Sequence, residues 1–170
     1  MHFMEEFVNK VANSGIITLN LEDYFPQGDR KLIDIKDVLF MGMVLREKDF
    51  REWVKTHDWS TYTDCFVAIH CSADAIVPTW AYMLISSKLA SIAKEVVFGD
   101  LSALEAVLWE KALNSINPSD YSEERVVIKG CGDLPVTAAA YSLITLKLTP
   151  VVKSIMYGEP CSTVPIYKAK

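Results

Sequence analysis

The sequence predicts an α/β fold: a mainly parallel sheet flanked by helices, with an internal duplication of a strand–helix–strand–helix–strand unit. Three observations carry this. Short apolar, β-branched runs alternate with segments of helical periodicity, the order that yields parallel strands joined by helical crossovers. One run, Cys65–Cys71 (CFVAIHC), is apolar on both faces apart from His70, as a central strand covered by helices on each side is. Two stretches, near 38–99 and 96–158, match each other residue for residue over much of their length, which is the signature of a structural repeat.

Taken in order, Glu5–Ala12 reads as a short amphipathic helix closed at Asn13-Ser14-Gly15, where glycine accepts the left-handed cap. Ile16–Leu21 alternates and starts β-branched, a strand. Phe25–Asp29 is a turn, and Lys31–Asp37 alternates apolar with charged residues, as an exposed or edge strand does. These strands, within 16–37, add to the core. Val38–Leu45 is continuously apolar, and periodicity alone assigns it neither to helix nor strand. Arg46–His57 is a helix with Phe50, Trp53 and Val54 on one face. After the Cys65–Cys71 strand come an apolar helix (Trp80–Ala93), a strand and turn (Val96–Asp100), and a helix (Leu101–Leu113). A loop at Pro118–Asp120 leads to the strand Arg125–Cys131, the helix Ala138–Val152 shortened at Pro150, and the strand Ser154–Gly158. No low-complexity linker divides the chain, so residues 1–170 are expected to form one α/β domain.

In the repeat, Asp58–Asp74 lies beside Asn117–Asp133. Tyr62 meets Tyr121, and Cys71 meets Cys131 if one residue is inserted before the second strand. Downstream, Tyr82, Lys88, Leu89, Lys94 and Phe98 meet Tyr141, Lys147, Leu148, Lys153 and Tyr157 without a gap. The Val96–Asp100 segment then ends one copy and begins the next. In parallel sheets ligands sit beyond the carboxyl ends of the strands. Here those ends are the turns at Cys71, Gly99-Asp100, Cys131 and Gly158–Cys161.

Composition narrows the partners. The net charge is −5 and the longest Lys/Arg run is the pair Arg30-Lys31, which gives nucleic acid no basic face. The longest uncharged stretches, Ala75–Ser87 and Leu134–Leu146, fall short of the roughly 20 apolar residues that span a bilayer. A cytoplasmic protein follows as the expectation, with reduced cysteines. The apolar composition also suits a homodimer interface.

Chemistry centres on Cys71, Cys131 and Cys161, with His70 as the nearest nitrogen donor. Thiolates on one sheet edge suit zinc, iron or an iron–sulfur cluster. His70 and Cys71 are adjacent, however, so a regular strand sends them to opposite faces, and the spacings match no CxxC pair. Three readings therefore stand: a shared metal or cluster site, separate buried thiols, or one reactive thiol, Cys131 between Gly130 and Gly132 being the favoured one. Asp74, Asp100, Asp133 and Glu159 share the same edge. They serve either a hard cation or acid/base pair, or helix caps and turns. No P-loop, GxGxxG, HExxH or GxSxG motif occurs.

The segments VANSGIITLNLEDYFP, DIKDVLFMGMVLREKDFRE, CSADAIVPTWAYM, VVFGDL, VVIKGC and KSIMYGEPCSTVPIYK together resemble a bacterial, Bacteroidetes-type family, domain of unknown function 2480. The resemblance covers nearly the whole chain. It implies a stand-alone domain with no assigned activity and no transferable catalytic residues, and a setting among iron–sulfur cluster assembly proteins. The function expected is an accessory thiol protein that holds a metal, cluster or sulfur atom. A small-metabolite enzyme with a reactive cysteine and a homodimeric interaction module are the alternatives.

Overall fold

The computed structural model describes residues 15–130, 132–159 and 161–170. The expected helix Glu5–Ala12 lies outside them, as do Cys131 and Pro160. The described chain is mixed α/β, with four helices and largely parallel strands. The strands form two sheets where the sequence suggests one. They belong to two compact units, residues 26–108 and residues 1–25 with 109–170.

The unit of residues 26–108 holds a three-stranded, wholly parallel sheet. Its strands are β2 (Arg30–Asp34), β3 (Phe66–His70) and β4 (Glu95–Phe98), in the order β2-β3-β4. Helices α1 (Glu47–Thr56) and α2 (Thr79–Leu89) bury Phe50, Val54, Ala81, Ile85 and Leu89 among Ile33, Val67 and Ile69. Alternation sends Ala68 to a second cluster, with Leu104 and Leu108 of α3 (Leu101–Asn114). That explains why β3 is apolar on both faces.

The other unit holds β1 (Ile16–Asn20), β5 (Arg125–Lys129), β6 (Ser154–Glu159) and β7 (Ser162–Lys168), in the order β1-β5-β6-β7. The first three are parallel, and β7 is antiparallel to β6. Trp109 and Leu113 of α3, and Ala140, Ile144 and Leu148 of α4 (Ala138–Leu148), pack with Leu19, Val126, Ile128 and Ile155. α4 stops before Pro150, because a proline ring denies that position a helical N–H.

Several expectations change. Val38–Leu45 is neither a buried strand nor a helix: Phe40 bridges to Val44, and Phe40, Met41, Met43 and Val44 are exposed. The segment after Gly158 is a hairpin, not only a stiff turn. Its strand β7 carries Pro165 beside a register shift opposite Ile155 and Met156, which an edge strand tolerates because the missing N–H is not needed there. β4 closes its own sheet and does not open the next set of strands; β1 takes the place beside β5.

One device recurs at the ends of β1 and β2 and ahead of β3 and β5. Asn20, Asp34, Asp58 and Asn117 each accept the backbone N–H two residues on, which starts a 3₁₀ turn. Asp64 and Glu123, just ahead of β3 and β5, both adopt positive φ. Their N–H groups bond Ile92 O at 2.9 Å and Val151 O at 2.8 Å. The same number of residues separates Phe66 from Arg125 as separates Thr79 from Ala138. No residue is inserted between the matched strands and helices. At that constant spacing the position matching Cys71 is Gly130, and Cys131 lies outside the described residues.

Candidate functional site

The densest polar grouping on a strand-end edge lies in the unit of residues 26–108, around Asp34. Parallel pairing sets Asp34, the last residue of β2, directly beside His70, the last of β3. The Asp34 carboxylate accepts the Ser72 hydroxyl at 2.5 Å, the Ser72 N–H at 3.0 Å and the Lys36 N–H at 3.0 Å. His70 Nε2 stands 3.7 Å from its Oδ2. Partial burial pushes the Asp34 acid up, but the Ser72 hydroxyl and N–H, the Lys36 N–H and the His70 ring together hold it below its ordinary value. An anion is thus fixed at the carboxyl end of the sheet.

Cys71 comes next along the chain. Its thiol is half-buried and directed at the Ala73 carbonyl, 3.7 Å away. Tyr82, one turn into α2, packs its ring edge-on against Phe98 at 5.0 Å. Burial raises the Tyr82 hydroxyl above its ordinary value, and the charges of Cys71 and Asp34 raise it further. The phenol therefore keeps its proton to higher pH than an ordinary tyrosine. Donor, thiol and carboxylate share one electrostatic neighbourhood.

The corresponding place in the other unit is built differently. Tyr141 repeats the Tyr82 contact, with its ring 5.4 Å from Tyr157. Gly130 stands where Cys71 does. A Cβ at Gly130 would fall 2.8 Å from Tyr141 Oη and 2.9 Å from Val136, so a side chain there would displace one or both. The following turn is held by Glu22, which accepts the Gly132 N–H at 2.5 Å.

The other expected site residues scatter. Asp100 accepts the Ala103 N–H at 2.9 Å and caps α3. Asp74 and Asp133 are exposed in their turns. Glu159 faces Lys129 Nζ at 3.5 Å, and Cys161 is exposed between β6 and β7. Cys65 is buried, its thiol donating to Thr63 O at 3.4 Å. Among the described residues no three His, Cys, Asp or Glu side chains are grouped to hold a metal ion.

Asp34 and Ser72 were missed in the sequence. The available signal was the likeness of LNLED (Leu19–Asp23) to IDIKD (Ile33–Asp37). It marks both segments as strand ends followed by a capped turn.

A family model described as a protein of unknown function (DUF2480) matches residues 5–169. The chain belongs to the DUF2480 family. No curated protein and no solved structure matches this DUF2480 protein. No helix among its described residues is long and apolar enough to cross a membrane.

Proposed function

We propose that this DUF2480 protein is an accessory thiol protein of the cytoplasm whose working group is Cys71. Its cargo is thiophilic: a soft metal ion such as zinc or iron, an iron–sulfur cluster, or a sulfane sulfur atom. One observation carries the reading. Cys71 is half-buried on a strand-end edge, next in the chain to His70 and Ser72, the two residues that meet the Asp34 carboxylate. The carboxylate favours a cation over an anion beside the sulfur, and the phenol can donate to a thiolate or persulfide. The likeness between the two units supports descent by duplication, and their difference at Cys71 and Gly130 supports assigning the function to one copy. Partners in iron–sulfur assembly fit such a cargo.

The test is zinc and ferrous titration without air, together with sulfane-sulfur analysis, on the full chain and on Cys71→Ser, Cys131→Ser and Cys161→Ser. Loss of cargo in Cys71→Ser, with weaker metal binding but intact sulfur loading in Asp34→Asn, is expected. Cargo retained in full by Cys71→Ser overturns the assignment.

The contact of His70 with Asp34 favours a second reading, a small-metabolite enzyme in which His70 takes a proton and Cys71 attacks. It requires Cys71 to react with iodoacetamide far faster than Cys161, and that advantage to fall in His70→Gln. Equal rates for the two thiols remove it.

A further inference from the structure

We propose that residues 1–14 dock as an amphipathic helix across the second face of the sheet β1-β5-β6-β7, in a groove at the starting ends of its parallel strands. Leu19, Val126, Ile128 and Ile155 pack on the first face, with α3 and α4. Alternation and register place Thr18, Val127, Met156 and Pro165 on the second. In the unit of residues 26–108 the matching face has a cover, because Ala68 packs with Leu104 and Leu108 of α3. Val127 holds the place of Ala68 and is fully buried. Yet no helix of the described residues shares a buried cluster with it. This face calls for a helix of its own.

The groove has a volume of about 520 Å³. Ile16, Met156 and Pro165 line it together with Arg125, Lys153, Lys168 and Lys170, against one carboxylate, Glu123. All four cations are exposed, and none forms an ion pair among the described residues. In a chain of net charge −5, such a concentration of positive charge fits an occupant that is acidic and carries an apolar face.

Residues 1–14 have that chemistry. At helical spacing Phe3, Phe7 and Val11 fall beside Met4 and Val8, and Glu5 and Glu6 flank this stripe on either side. The segment joins the groove directly, since Ile16 is part of its lining. Gly15 has a φ of 61°, the left-handed conformation in which a helix commonly ends. The lengths agree as well. As a helix, Glu5–Ala12 spans about 12 Å, and the three strand spacings from β1 to β7 span about 14 Å. A helix that ends at β1 therefore starts near β7, where Glu5 and Glu6 meet Lys168 and Lys170.

Hydrogen exchange and zero-length cross-linking of the full chain test this. A helix as short as Glu5–Ala12 does not persist alone in water, so slow exchange at residues 5–12 reports docking. Exchange there should be about tenfold or more slower than in a synthetic peptide of residues 1–14, and Phe7→Asp should bring it within about twofold of the peptide. Carbodiimide should join Glu5 or Glu6 to Lys168 or Lys170 within one chain, read by mass spectrometry on an equal mixture of isotope-labelled and unlabelled protein. Exchange at the peptide's rate overturns the proposal. So does linkage found only between chains, which gives the groove to a second copy. A wild type that binds the added peptide as readily as Phe7→Asp does also overturns it, since an occupied groove excludes the peptide.

Discussion

Replacing Asp34 by Asn tests whether a fixed anion organises the strand-end edge. The substitution keeps the shape and an acceptor oxygen but removes the charge. Three hydrogen bonds reach the carboxylate, from the Ser72 hydroxyl, the Ser72 N–H and the Lys36 N–H. A bond to a charged group contributes about 1.5–3 kcal/mol and a neutral one about 1 kcal/mol. Loss of charge at three bonds therefore amounts to about 1.5–6 kcal/mol before screening. The side chain is 16% exposed and its donors lie at the surface, so solvent reduces this to about 1–2 kcal/mol at neutral pH.

The pH dependence follows from the sign of the shift. Asp34 is depressed below its ordinary value of 3.8 when folded. Its contribution is complete above 3.8 and fades as pH falls through the lower folded value. Urea unfolding of wild type and Asp34→Asn at pH 7 and at successively lower pH values should give a difference that is full at pH 7 and shrinks progressively below 3.8. A difference that does not shrink as the pH falls refutes the charge argument. Equal stability at pH 7 refutes the whole account of the Asp34 cluster.

Three further outcomes follow. Ultraviolet difference titration of Cys71→Ser should show Tyr82 ionising at lower pH than in the wild type while staying above an ordinary tyrosine, because burial remains when the thiolate charge is gone. Ile85→Ala and Ile144→Ala remove fully buried side chains at matched positions of α2 and α4; each should cost about 2–5 kcal/mol in denaturant unfolding. Gly130→Ala should cost about 1–3 kcal/mol by overpacking against Tyr141 Oη. Combining it with Tyr141→Phe should recover part of that loss in a double-mutant cycle, since the hydroxyl is the nearest obstacle.

What could be read from the sequence divides along a physical line. β3 and β5 declare themselves because a strand covered on both faces needs an unbroken apolar run, a local requirement. Val38–Leu45 carries the same kind of run, yet Phe40, Met41, Met43 and Val44 are exposed while Leu39 is buried; hydrophobicity reports a wish for burial, not which surface meets it. β7 hides behind Pro165, since proline usually argues against a strand and only knowledge that this strand lies at an edge removes the objection. Asp34 is the sharpest case. Its alternating neighbourhood reads correctly as a strand end, yet its chemistry comes from β3 lying beside β2 in parallel register, which places Ser72 and His70 around it across a gap of more than thirty residues. Strand order is a long-range property, and no local pattern carries it.

The same reasoning explains the misplaced cysteine. Matching Cys71 to Cys131 satisfies identity but demands an extra residue between strands and helices that are equally spaced in the two units. At that spacing Gly130 stands opposite Cys71, and a tyrosine hydroxyl 2.8 Å from its Cβ position crowds any side chain there. A function shared equally by both units would need like chemistry in both places. The difference between Cys71 and Gly130 is what the proposal that Cys71 is the working group draws on.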